Sequence, residues 1–172
     1  MFVDMRESEL EAVSERMDRR GAAMLANCRS LVRLSRRHGW PLGFVVSNDA
    51  NPKRRSRSRW IEGFEPERSD MVFRRSGASC YANPEFAPAV DAAGGSFLLA
   101  GFCGESAGLS TLCDARKRNH GVVYVCDASA SRSVAGLDPN ASHRVMVALA
   151  SQFAAVITTA RLLEFAQQLS MP

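Results

Sequence analysis

The sequence predicts a three-layer α/β/α sandwich around a mostly parallel sheet of about six strands. Short apolar runs rich in β-branched and aromatic residues alternate with longer stretches in which apolar residues recur at helical intervals. This alternation is typical of βαβ units, in which a helix connects one parallel strand to the next. A chain of 172 residues can bury one complete core. We therefore expect a single domain over residues 1–172.

Each element of this prediction has a local signal. The strands are expected at residues 2–4, 42–47, 71–73, 96–101, 122–127 and 154–158. The helices are expected at residues 9–38, 84–93, 105–119, 141–153 and 160–169. The first helical stretch is expected to break near Gly21 and to stop at Gly39, and Gly121 is expected to close the helix that ends at Asn119.

Composition excludes several classes of protein. The longest apolar stretch, residues 145–157, is interrupted by Ser151 and Gln152 and is shorter than the ~20 residues of a membrane span. Charged residues from Asp4 onward interrupt the start of the chain, where a secretory signal needs a continuous apolar core. We therefore expect a cytoplasmic protein without a membrane partner. The five cysteines form no Cys-x-x-Cys pair and are expected to be free thiols.

One segment is strongly basic. Residues 53–59 contain five Lys or Arg in seven positions, but no aromatic residues that could stack on bases are interleaved with them. The net charge of the whole chain is only +4. The sequence therefore does not favour a nucleic-acid partner, and we expect a surface loop whose charges attract an anionic ligand.

Candidate functional groups follow three of the predicted strands. Asp4 ends the first strand, Arg75 follows the third, and a glycine-led turn at residues 101–108 follows the fourth. Ligands of open parallel sheets bind beyond the carboxyl ends of the strands. The turn also leads into a helix, whose first N–H groups favour an anion or a developing oxyanion. These three places predict one pocket for a small molecule.

Several segments also occur in the order and spacing of a known enzyme family. Residues 1–5 match a first strand that ends in a catalytic Asp, residues 70–81 a segment with a catalytic Lys, and residues 98–115 a nucleophile motif ending in Thr-x-x-Asp-Ala. Residues 121–131, His143 and residues 156–159 match its downstream pattern. On these segments the chain resembles the isochorismatase-like hydrolases, or cysteine hydrolase superfamily. The resemblance implies hydrolysis of a small molecule and a homodimer or larger homo-oligomer.

The departures from the family pattern affect the chemistry. Of the family's catalytic Asp, Lys and Cys, the resemblance places only the Asp, at Asp4; the Lys position is Arg75 and the Cys position is Ala107. Alanine has no nucleophile, so covalent thioester chemistry at that position is excluded. A natural loss and a deliberate Cys→Ala change both fit Ala107. Cys80 and Cys103 are less favoured substitutes, because a nucleophile must lie within reach of its base.

Arg75 stays protonated, so it can hold an anion but cannot act as an acid or base. We expect it to lower the pKa of Asp4 and to keep that carboxyl ionised. In the family's branch without the Cys, the Asp protonates a vinyl ether and water completes the cleavage. Asp4 could do this only where burial or substrate charge offsets Arg75. The alternative is a buried ion pair left over from an ancestral site.

The resemblance also implies other features of the site. Arg6 replaces a family Gln, and residues 48–52 lack the Asp-x-His pattern of nicotinamidases, so we expect no metal and no cofactor. Members of the family usually have several residues ahead of the first strand, whereas this sequence begins three residues before Asp4. Either the start is assigned too late or the strand is trimmed. The apolar face of the first helix is the expected surface between subunits. Substrate contacts are predicted from Trp60, Ser79, Tyr81, Phe102, Cys103, Gly104 and Gly108.

The leading functional prediction is an isochorismatase-like protein that binds or hydrolyses a small anionic molecule of amide, carbamoyl or vinyl-ether type without a covalent cysteine intermediate. Asp4 would handle the proton, Arg75 would orient the substrate, and backbone N–H groups near Ala107 would stabilise negative charge. The alternative is a catalytically inactive family member that acts as a ligand-binding or protein-interaction module.

Overall fold

The computed structural model describes residues 1–14, 19–48, 59–102 and 104–169. The strands are β1 (Phe2–Val3), β2 (Gly43–Ser47), β3 (Met71–Arg75), β4 (Ser96–Gly101), β5 (Gly121–Ser129) and β6 (Ala155–Ile157). The α-helices are α1 (Glu7–Ser14), α2 (Arg19–His38), α3 (Phe86–Ala92), α4 (Leu109–Lys117), α5 (Pro139–Ala150) and α6 (Thr159–Leu169). A 3₁₀ helix spans Cys80–Ala82, and a π-helix spans Gly104–Gly108.

The six strands form one parallel sheet in the order β3-β2-β1-β4-β5-β6. The predicted three-layer α/β/α fold is confirmed, because α2 and α6 pack on one side of the sheet and α3, α4 and α5 cover the other. The strand order reverses between β1 and β4. At this reversal the chain leaves the carboxyl ends of the two strands in opposite directions and opens a crevice between them.

The apolar face of α2 is not the surface between subunits that the sequence predicts. Its apolar residues, including Met24, Cys28 and Leu31, are buried in the core, and α2 packs against β5 and α6. This face is therefore covered within the chain and is not a surface between subunits. The prediction of a break near Gly21 is also wrong, because Gly21 lies inside α2.

Strand β3 positions the first functional side chain by its alternation. Phe73 and Arg75 point into the structure and are buried, whereas Val72 and Arg74 are exposed on the opposite side. The strand ends at Arg75, two residues later than predicted. Arg75 is therefore held by the sheet itself, beside Ser47 of β2.

Two helix termini differ from the prediction. The stretch predicted as a helix from residue 105 begins as a π-helix and continues as α4. Asn119 has φ +57° and supplies the left-handed residue after α4, a role that asparagine can take in place of glycine. Gly121 already belongs to β5. Within the described residues, no helix is long and apolar enough to cross a bilayer.

The contact between β1 and β4 is close at Gly101. A Cβ atom on Gly101 would lie 2.3 Å from the carbonyl oxygen of Val3, and the residue has φ +117°. We expect Gly101→Ala to lower the free energy of unfolding by more than the roughly 1–3 kcal/mol of backbone strain alone, because the clash adds to it. Urea denaturation measures this loss.

Gly94→Ala is the matched control, because Gly94 also has a positive φ, +88°, but no atom lies within 4 Å of the position that an added methyl group would take. An equal loss of stability in both variants would show that the approach of β1 to β4 is not tight.

Candidate active site

The site is built around Asp4, the first residue after β1. Its N–H donates a hydrogen bond of 2.8 Å to the carbonyl oxygen of Val45, and its φ of +50° turns the chain out of the sheet. Aspartate tolerates this left-handed conformation better than most residues. The turn leaves Asp4 only 3% exposed, at the edge of the crevice between β1 and β4.

Arg75 reaches across β2 and forms an ion pair with Asp4. Its Nη2 donates to Asp4 Oδ2, and the other carboxylate oxygen, Oδ1, accepts the Ser47 N–H at 2.8 Å. Arg75 Nη1 donates to the carbonyl oxygens of Gly77 at 2.5 Å and Ala78 at 2.9 Å. Both charges are buried, so their desolvation is offset by direct pairing and by backbone hydrogen bonds.

The electrostatic balance differs from the sequence expectation. Burial raises the pKa of Asp4, and the opposing effects of the Arg75 charge and the Ser47 N–H do not cancel it. The expectation that Arg75 would lower the pKa overall is therefore wrong, and the exception stated with it, burial that offsets Arg75, applies here. A raised pKa favours a carboxyl group that can hold a proton for transfer.

One donor in the ion pair is left over. The Nε of Arg75 is buried and has no hydrogen-bond partner among the residues that the structure describes. A buried donor without a partner costs free energy that a bound acceptor recovers. An oxygen of a ligand, placed beside Asp4, would supply that acceptor.

The segment that follows Arg75 is fixed by α4. The N–H of Cys80 donates to Thr111 Oγ1 at 3.0 Å, and the Ser79 hydroxyl donates to Asp114, which lowers the pKa of that carboxyl. The Thr-x-x-Asp spacing places both acceptors on one side of α4. These bonds hold the 3₁₀ helix and, with it, the carbonyl groups that bind Arg75.

The π-helix lies next to this pair, because β4 is the neighbour of β1. The N–H of Phe102 donates to the Val3 carbonyl oxygen at 2.9 Å, and the N–H of Gly104 donates to the Ala130 carbonyl oxygen at 2.9 Å. Phe102, Gly104, Ala107 and Gly108 are all buried. Ala107 thus occupies a water-excluded position. Cys103 lies outside the described residues.

The two predicted aromatic contacts lie in different places. Trp60 lines the start of α1, where the Arg6 guanidinium lies 3.8 Å above its ring. Tyr81 turns toward α3 and β5 instead, because its hydroxyl is 2.7 Å from Nδ1 of His120 and its ring packs edge-on against Phe86. The structure therefore pairs Trp60 with Arg6, two residues after Asp4, and directs the Tyr81 hydroxyl to His120 instead.

The thiol of Cys80, on the segment that follows Arg75, is a poor nucleophile. Burial raises the pKa of Cys80 to about 11, so its reactive thiolate form is rare near neutral pH. Its side chain is fully buried. Cys80 is therefore unsuited to replace the missing family cysteine.

Sequence reasoning missed an ionic contact at the same edge. Arg132 follows β5 and pairs with Glu9 of α1, while its N–H donates to Glu105 Oε2 at 3.1 Å. The contact joins α1 to the π-helix. An arginine three residues after a strand was the only available signal, because Glu9 and Arg132 are 123 positions apart.

We expect Asp4→Asn to lower the free energy of unfolding by about 3–5 kcal/mol, because it leaves Arg75 buried without a counter-charge. Glu67→Gln is the control, since Glu67 pairs with Arg36 at the surface and such pairs contribute at most about 1 kcal/mol. Chemical denaturation at neutral pH measures both variants. Equal effects would mean that the Asp4–Arg75 pair behaves like a surface contact.

Comparison with solved structures shows the same fold. An isochorismatase from Pseudomonas putida KT2440 superposes with a TM-score of 0.82 at 21% identity, covering 93% of this chain and 87% of that chain. An N-carbamoylsarcosine amidase from Thermoplasma acidophilum has a TM-score of 0.68 at 22% identity, covering 92% and 94%. A ribonuclease from Caenorhabditis elegans has a TM-score of 0.75 at 16% identity, covering 96% and 78%.

At these identities the likeness to solved structures shows the fold alone. No curated protein matches the sequence significantly. The family model of the isochorismatase domain, however, matches residues 1–161, which is nearly the whole chain and includes Asp4, Arg75 and the π-helix. The protein therefore belongs to the isochorismatase domain family, with alanine and arginine at the positions that the resemblance assigns to the family's cysteine and lysine.

Proposed function

We propose that this protein binds a small anionic molecule beside Asp4 and Arg75 and hydrolyses it without a covalent cysteine intermediate. The observation that carries the proposal is the unpartnered Nε of Arg75, which is buried next to the Asp4 carboxyl group among the described residues. A ligand oxygen at that donor would be held within the crevice between β1 and β4. The charge of Arg75 favours a carboxylate or a polarised carbonyl.

Each of these residues has a separate role in the proposed hydrolysis. Asp4 transfers the proton, since burial raises its pKa and brings a carboxyl group closer to the range needed for acid catalysis. Arg75 orients the substrate and cannot exchange protons. Ala107 supplies no nucleophile, so water is the attacking group. Backbone N–H groups near Ala107 would stabilise negative charge that develops on the substrate.

The substrate class is an amide, a carbamoyl compound or a vinyl ether. One protein of similar fold is an N-carbamoylsarcosine amidase, which supports carbamoyl compounds as the first group to test. All three classes release a charged or polar product after the addition of water. We also propose that the protein acts in the cytoplasm and as a homodimer or larger homo-oligomer.

A second candidate is a binding module without turnover. The observation that favours it is the direct Asp4–Arg75 contact, which occupies one oxygen of the carboxylate while Ser47 occupies the other. A substrate must compete with this pairing before Asp4 can act on it. A protein that only binds an anion does not need Asp4 to be released from this pairing.

We expect the protein to hydrolyse at least one member of a panel of amides, N-carbamoyl compounds and isochorismate. Mass spectrometry measures the turnover of each compound. Asp4→Asn should lower turnover by about 10²–10⁴-fold, the usual contribution of a positioned acid or base. Glu67→Gln, which alters the exposed ion pair with Arg36 outside the candidate site, should leave turnover unchanged. Circular dichroism shows whether each variant is folded at the assay temperature.

The Ala107→Cys variant separates the two candidates. Turnover by that variant alone would contradict hydrolysis without cysteine and would show that the rest of the pocket is intact. Binding of the panel compounds without turnover by either protein would support the binding module.

A further inference from the structure

A cavity lies at the same edge of the sheet as Asp4, beyond the carboxyl end of β5. It has a volume of about 200 Å³ and opens between α2 and the first turn of α5. Its walls include Ala23, Met24 and Asn27 of α2, Asp127 of β5, and Asn140 and His143 of α5. Neither Asp4, Arg75 nor any residue of the π-helix lines it, so it is separate from the candidate active site.

Two asparagines line this cavity, and their side-chain amides have hydrogen-bonding groups that remain available. Asn27 uses one N–H of its amide to donate to the Asp127 carbonyl oxygen at 2.9 Å. Asn140 is held through its backbone N–H, which donates to Asp138 Oδ1 at 2.8 Å. No further hydrogen bond of either side-chain amide exists within the described part of the chain. Each amide therefore offers both a donor and an acceptor.

The titratable side chains Asp127 and His143 that line the cavity already have hydrogen-bond partners. Asp127 Oδ1 accepts both the N–H and the hydroxyl of Thr159, at 2.7 and 2.8 Å, and so caps the start of α6. His143 donates from Nε2 to the Cys126 carbonyl oxygen at 2.8 Å. The described lining contains no Lys or Arg. An anion would find no counter-charge there, and the surroundings favour an uncharged ligand.

Much of the remaining wall is apolar and is formed by Ala23, Met24, Ala130 and Pro139, while Ser129 and Ser131 contribute polar groups to it. An apolar cavity of roughly 150 Å³ is large enough for a benzene ring, so this cavity accommodates one ring with a small substituent. From its size, its apolar walls and its two amide groups, we propose that it binds an uncharged, single-ring lactam or amide. Such a molecule presents a donor and an acceptor on adjacent atoms, which complement an asparagine amide.

The probe is 2-pyridone, a single-ring lactam, titrated into the full chain and followed through the side-chain amide resonances of Asn27 and Asn140 by NMR. We expect both resonances to shift and to saturate. Ala23→Trp should abolish binding, because the indole would fill the mouth of the cavity. Ala26→Trp is the matched control on the same helix, because Ala26 is exposed and does not line the cavity.

A further variant tests the chemical class. Asn27→Leu should weaken 2-pyridone by roughly five- to tenfold, the effect of about one lost hydrogen bond, and should leave the binding of toluene unchanged. Toluene binding to the unaltered protein as tightly as 2-pyridone would overturn the amide assignment. No shift of the Asn27 and Asn140 resonances, or equal weakening by both tryptophan variants, would overturn the site.

Discussion

The buried contact between Asp4 and Arg75 is the interaction on which the rest of the site depends. Removing two opposite charges from water costs several kcal/mol for each ion, and only close pairing with further hydrogen bonds offsets that cost. Here the further bonds come from the backbone of Ser47, Gly77 and Ala78. The pair is therefore stable only when β1, β2 and β3 lie side by side in this register.

The same requirement explains the role of α4. The carbonyl groups of Gly77 and Ala78 lie on the segment that Thr111 and Asp114 hold through Cys80 and Ser79. The Thr-x-x-Asp-Ala segment, which the resemblance places after the family's nucleophile position, thus holds the segment whose carbonyl groups bind Arg75. The contacts that position Arg75 do not involve residue 107.

Much of this arrangement could be predicted from the sequence. The alternation of apolar runs and helical stretches identified the strands, and the position of ligands at the carboxyl ends of parallel strands identified Asp4 and Arg75 as neighbours. The family resemblance added the importance of Ala107. These predictions depend on periodicity and chain order, which one sequence contains.

Other features depend on contacts between distant parts of the chain. The net direction of the pKa shift of Asp4 is set by burial against Arg75 and Ser47, and a sequence gives no measure of that balance. The pairing of Glu9 with Arg132 and the cavity beside Asn27 and Asn140 arise from the packing of helices across the sheet. The sequence could not predict the π-helix either, because its residues have the same pattern as the start of an α-helix.

We propose that the Asp4–Arg75 pair binds an anionic molecule. The most direct measurement is an NMR titration of the Arg75 Nε–H resonance with N-carbamoylglycine, assigned by its absence in Arg75→Lys, with ethylurea as the comparison that lacks the carboxylate. We expect N-carbamoylglycine to shift this resonance to saturation and ethylurea to bind more weakly. A resonance that does not move up to the solubility limit of N-carbamoylglycine would contradict this proposal.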